Sequence, residues 1–143
     1  MAALIDTNIL VYRYDFRFPE KQKLVNKLLR DGIDADSVRL AHQTIIKFVA
    51  ATTRSIDKSG LTLLTLHEAL REAEEFLAQF TVLYPDERLL RLAVRGTATY
   101  GLSWFDAHMW AYAEHFGLDT LWSEDFTHQR LYGRVRAQNP FLP

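Results

Sequence analysis

Three aspartates in this sequence stand where a carboxylate is costly. Asp6 ends the apolar run Ala2-Ala3-Leu4-Ile5, and Asp106 lies in an aromatic-rich helical stretch. Asp125 follows the short apolar segment Thr120-Leu121-Trp122 by way of Ser123-Glu124. A buried carboxylate is unfavourable unless something positive compensates it. Three of them converging on one cleft would form an oxygen-only site, which suits Mg²⁺ or Mn²⁺. Such ions orient a water and neutralise charge on a phosphodiester during its hydrolysis. Each acid alone has an ordinary explanation: Asp6 and Asp106 suit helix N-termini, and Asp125 suits a turn. Taken together, all three are expected at the same edge of one sheet.

Other chemistries find less support. The five histidines show no His-Glu-x-x-His pattern, and the absence of cysteine excludes disulfides and thiolate metal sites. There is no Gly-rich phosphate loop and no Gly-x-Ser-x-Gly elbow for an acyl hydrolase. An aspartyl-phosphate phosphatase would also place Asp6 after a first strand. That chemistry wants a second Asp two residues later, where Asn8 stands.

The elements that must position these acids alternate along the chain. Residues 2–5 read as a buried strand, followed by a helical turn over 8–12. Pro19 opens a helix with apolar positions at Leu24, Leu28 and Leu29, which Gly32 is expected to end. A strand over 38–41 and a helix from Gln43 to Arg54 follow. Thr65 with Glu68 three residues on forms a capping-box signature for a helix to about Gln79. Next come a strand over 81–84, helices over 86–99 and 103–116, and strands over 120–122 and 135–137. Strands alternating with helices predict a parallel α/β sheet. On the 103–116 helix, Asp106, Met109, Trp110 and Ala113 share one face. His108 and His115 lie about 180–200° around from Asp106 at 100° per residue. Asp106 is therefore expected on the covered side, with Ser103 as N-cap.

Composition bounds the partners. With 143 residues and 48% hydrophobic content, one domain over 1–143 with a real core is expected. No apolar run approaches the roughly 20 residues of a membrane span. No basic region precedes an apolar stretch, so no signal peptide is expected, and a cytoplasmic location follows by default. A net charge of −1 excludes coating of nucleic acid by bulk electrostatics. The cations are mostly arginine, twelve against five lysines, and arginine matches phosphate geometry. Arg13 and Arg17 follow Asp6, while Arg130, Arg134 and Arg136 follow Asp125.

The chain resembles the PIN-domain ribonucleases, specifically the VapC-type toxins of prokaryotic toxin–antitoxin pairs. The resemblance rests on Leu4-Ile5-Asp6-Thr7-Asn8, Leu102-Ser103-Trp104-Phe105-Asp106-Ala107, Leu121-Trp122-Ser123-Glu124-Asp125-Phe126 and the ending Asn139-Pro140-Phe141, in that order. It implies a three-layer α/β/α fold with a central, mainly parallel sheet. It also implies endonucleolytic cleavage of RNA, of the tRNA or rRNA class, by a homodimer. A cognate antitoxin would inhibit it by inserting a segment into the cleft. Asp6, Asp106 and Asp125 would then be metal ligands for Mg²⁺ or Mn²⁺. Thr7 and Asn8 would orient Asp6 by hydrogen bonding, Ser123 or Glu124 would assist, and Arg54 or Arg130 would hold RNA phosphates.

One position departs from the family pattern. Members usually carry Glu where Gln43-Thr44-Ile45-Ile46-Lys47-Phe48-Val49 has Lys47. Gln43, Lys47 and Arg54 share a helical face, which is either solvated or, by the family alignment, turned to the cleft. A lysine there changes the site charge from about −4 to −2. At about 4 Å and an effective dielectric near 20, each Lys–Asp pair is worth on the order of 4 kcal/mol before desolvation. The expectation is that Lys47 pairs with Asp6 and Asp106, occupies metal space and impairs hydrolysis. The alternative is a non-catalytic module of the same fold that binds an antitoxin or RNA.

Overall fold

The computed structural model describes residues 2–143. Strand β1 (Ala3–Ile5) is buried throughout and leads into helix α1 (Thr7–Val11) and a 3-10 turn over Tyr12–Tyr14. Helix α2 (Pro19–Ala35), strand β2 (Val38–Ala41), helices α3 (His42–Thr53) and α4 (Leu66–Gln79), and strand β3 (Thr81–Leu83) follow. Helices α5 (Glu87–Tyr100) and α6 (Trp104–His115) precede strands β4 (Thr120–Trp122), β5 (Leu131–Tyr132) and β6 (Val135–Gln138).

The strands form one sheet in the order β3-β2-β1-β4-β6-β5. Every pairing is parallel except β5 with β6. Successive strand residues point to opposite faces, and this splits the core in two. Leu4, Ala41, Leu121 and Ala137 face α5 and α6, while Ile5, Val38, Leu40 and Trp122 face α1 to α4. The result is the three-layer α/β/α arrangement around a mainly parallel sheet.

Caps and close approaches fix the helices. Thr65 and Glu68 form the reciprocal capping box at the start of α4. Ser103 caps α6 by accepting from the Asp106 amide at 3.2 Å. Gly32 does not end α2, which runs on to Ala35 and closes at Asp36 in the left-handed region (φ 50°). A Cβ at residue 32 would collide with Val38, so this glycine lets the helix lie against β2. Gly96 plays the same part between α5 and α6, where a Cβ would sit 2.6 Å from the Trp110 ring. Strand β5 is not anticipated by the sequence pattern, because two residues cannot show alternation. None of the helices among the described residues is long and apolar enough to cross a membrane.

Candidate metal centre

Two adjacent parallel strands bring the first acid and the last together. β1 and β4 pair with Ile5 opposite Trp122, so both end at the same edge. Asp6 follows directly, its amide donating to the Trp122 carbonyl at 2.9 Å. It is the extended N-cap of α1, and its Oδ1 accepts from the Thr7 amide at 2.7 Å. A helix that leads into a parallel strand runs back across the sheet, so its N-terminus overlies the strands' carboxyl edge. Helix α6 does this before β4 and delivers Asp106 in its first turn.

One carboxylate oxygen each from Asp6, Asp106 and Asp125 lies within 4.8 Å of the others. Asp6 is buried (6% exposed), Asp106 is half-buried and Asp125 is exposed. Ser123 links two of the three. Its hydroxyl donates to Asp6 Oδ2 at 2.8 Å and accepts from the Asp125 amide at 3.0 Å, and the residue is 1% exposed. Burial, and then the charges of Asp125 and Asp106, push the Asp6 carboxyl up to about 6 against its hydrogen bonds from Ser123 and Thr7. Asp125 is also pushed upward, first by partial desolvation of its carboxylate and then by Asp106 and Glu124, with Lys47 acting in the opposite sense.

No cationic side chain among the described residues forms an ion pair with any of the three acids. Oxygens facing each other across one hard cation lie about 4–5 Å apart. The oxygen-only donor set, its spacing and its uncompensated charge therefore fit a divalent ion of the Mg²⁺ or Mn²⁺ type.

The supporting residues sort differently from the expectation. Thr7 serves Asp6 through its backbone amide, while its buried hydroxyl has no hydrogen-bond partner. Asn8 makes no hydrogen bond to Asp6, because α1 turns its neighbours Ile9 and Leu10 to the core and leaves residue 8 exposed. Glu124 points away from the cluster to Lys21, 2.8 Å distant.

Lys47 does not pair with Asp6 or Asp106 either. Its ammonium lies 4.4 Å from the centroid of the Phe105 ring, where its charge still acts on Asp125. There it keeps a favourable ring contact and part of its hydration, whereas entry among the acids would cost desolvation. On α3, Thr44, Phe48 and Thr52 face inward. Lys47 borders an apolar hollow of about 610 Å³ with Ile46, Leu90 and Phe105. Arg54, the extended residue that caps the C-terminus of α3, borders a polar hollow of about 290 Å³ with Asn8 and Arg17. Arg130 instead stacks over Tyr132, 4.5 Å from its centroid.

An α/β/α fold with acids gathered at the carboxyl edge of its parallel sheet places this cluster where open α/β sheets bind their ligands. The PIN domain family model matches residues 3–134, and the chain belongs to that family. No curated protein matches it in sequence. Among solved structures, a toxin–antitoxin complex from Klebsiella pneumoniae is 17% identical with a TM-score of 0.68, covering 98% of both chains. FitAcB from Neisseria gonorrhoeae is 20% identical with a TM-score of 0.67, covering 97% of this chain and 98% of that one. VapC20 of Mycobacterium tuberculosis, described as a sarcin–ricin loop cleaving toxin, is 14% identical with a TM-score of 0.60, covering 87% and 90%. These likenesses concern the fold.

Proposed function

We propose that the protein is a metal-dependent endoribonuclease toxin of the VapC type, one PIN domain throughout, acting in the cytoplasm on RNA of the tRNA or rRNA class. The observation that carries this reading is the meeting of three carboxylates from three separate segments, with no side-chain cation among the described residues paired to them. Asp6 and Asp106 are the principal metal ligands and Asp125, more exposed, is the weaker one. A bound Mg²⁺ or Mn²⁺ supplies Lewis acidity toward the phosphodiester. Ser123 keeps Asp6 oriented and restrains the Asp125 amide, so the ligands need little rearrangement. Arg54 offers guanidinium donors to RNA phosphates in the polar hollow beside Asn8, where Arg17 is already held by Asp15. Arg130 can contribute only at the surface around Tyr132.

The partners follow the same reading. VapC20 is described as a sarcin–ricin loop cleaving toxin, and the Klebsiella pneumoniae structure is a toxin–antitoxin complex. An antitoxin that covers the cleft is therefore the expected inhibitor. Self-association is supported by Leu66, Leu70 and Leu77, which expose apolar surface at helical spacing on α4. Lys47 weakens the site by replacing a ligand and adding positive charge, without entering metal space.

Lys47 also favours a second reading, in which the fold is retained for binding alone. Mn²⁺-dependent cleavage of a mixed tRNA and rRNA pool by this protein, beside its Lys47→Glu form, separates the two. The nuclease reading expects stronger cleavage from Lys47→Glu and its loss when Asp6→Ala is added. Folded proteins that cut nothing in either form would leave the binding module.

A further inference from the structure

Glu124 sits between two residues of the cluster yet takes no part in it. Ser123 and Asp125 turn toward Asp6 and Asp106, while the Glu124 carboxylate accepts from Lys21 Nζ at 2.8 Å. Lys21 lies in the first two turns of α2, 103 residues away in sequence. Its ammonium is enclosed by aromatic groups. It donates to the Tyr12 hydroxyl at 3.2 Å and lies 4.7 Å from the ring centroids of both Tyr12 and Phe141, with Phe18 at 5.7 Å. Tyr12 in turn packs edge-on against Phe18 and Phe141, at 5.7 and 5.3 Å between centroids. The pair is 32% and 23% exposed, against 70% and 58% for Lys27 and Asp31 on the same helix. Its geometry is thus held by packing, where an exposed pair is free to dissolve into water.

We propose that Lys21 is a positioning residue for the metal centre: by holding Glu124 in the aromatic enclosure it fixes the loop that presents Asp125. This rests on the metal-centre reading of the three aspartates. Three consecutive loop residues are each restrained, Ser123 by Asp6, Glu124 by Lys21, and the Asp125 amide by Ser123. Loss of the middle restraint leaves Glu124 an unneutralised carboxylate beside Asp125 and lets the loop turn. Outer partners that orient metal ligands are commonly worth about 10–100-fold in metal affinity.

The test is Mn²⁺ binding, followed by electron paramagnetic resonance, to the native chain, Lys21→Met, Lys21→Arg and Asp6→Ala. Met keeps an apolar stem in the enclosure and removes the charge. A role through charge alone would tighten binding, because the neighbourhood becomes more negative. Positioning predicts the opposite: about tenfold weaker binding in Lys21→Met, restored by Lys21→Arg. Unchanged or tighter binding in Lys21→Met overturns the proposal.

Metal-free hydrogen exchange reads the same restraint independently. The Asp125 amide should exchange about tenfold faster in Lys21→Met, while the amides in the middle of α2 stay protected. Equal exchange at Asp125 would also overturn it. If the native chain and Asp6→Ala bind Mn²⁺ equally poorly, the metal-centre reading fails, and the exchange result alone still decides whether Lys21 holds the loop.

Discussion

Lys21 and Lys47 each rest an ammonium on aromatic rings beside the acid cluster, yet only Lys21 also reaches a carboxylate. Lys21 lies 4.7 Å from two ring centroids and forms a 2.8 Å ion pair with Glu124. Lys47 lies 4.4 Å from one ring and forms no ion pair among the described residues. Nearness to acids therefore does not decide whether a lysine pairs with them. A carboxylate already held by a hydroxyl and a backbone amide, like Asp6, offers a cation less than it costs the cation to desolvate. Glu124, less deeply buried than Asp6 and flanked by Lys21 and the Tyr12 hydroxyl, takes the pair. The outcome leaves Asp6 uncompensated at the centre and a neutralised acid at the edge.

The largest expected effect tests that uncompensated charge. Asp6 has its carboxyl raised from 3.8 to about 6, so the native state holds the proton more tightly than the unfolded chain. Its contribution to stability is full below about pH 4 and is lost as pH rises through 6. For metal-free protein, Asp6→Asn should gain about 3 kcal/mol on the native chain between pH 3 and pH 7. Urea unfolding across that range checks it. Parallel stability profiles would mean that Asp6 carries no such penalty and that the comparison between the lysines is mistaken.

Next in size is the exchange of Lys47 for the family's residue. Lys47→Glu should tighten Mn²⁺ by about 10–100-fold, because it removes a positive charge and adds an oxygen ligand. Calorimetric titration reads this directly, and an unchanged affinity would show that residue 47 stands outside the site. The smallest effect concerns the perch. Phe105→Leu removes a contact worth about 0.5–1 kcal/mol and lets Lys47 turn toward the acids. Mn²⁺ affinity should then fall by about two- to fivefold, with little change in melting temperature. Tighter binding in that variant would mean that Phe105 had been holding Lys47 against the metal rather than away from it.

Local rules explain which parts were legible from residues alone. The Thr65–Glu68 box and the Ser103 cap need only side chains three positions apart, and both form as read. The alternation of strands and helices set the parallel sheet, and parallel connection then placed Asp6 and Asp106 at one edge. Gly32 misled because a glycine that permits close packing looks the same in sequence as one that ends a helix. Lys47 misled for a related reason: charge arithmetic favours a pair with Asp6, while the aromatic ring that holds the ammonium belongs to another helix.

The sequence by itself determined the acids, the layers and the family motifs, because these depend on residue type, short spacing and the period of burial. Only the tertiary structure decided which acid each lysine meets. Lys21 and Glu124 are joined across 103 residues by the packing of Tyr12, Phe18 and Phe141 around them. No local preference encodes such a contact. It exists because folding brings α2, the 3-10 turn, the loop after β4 and the C-terminal segment to one place, where shielding from water makes a single pairing definite.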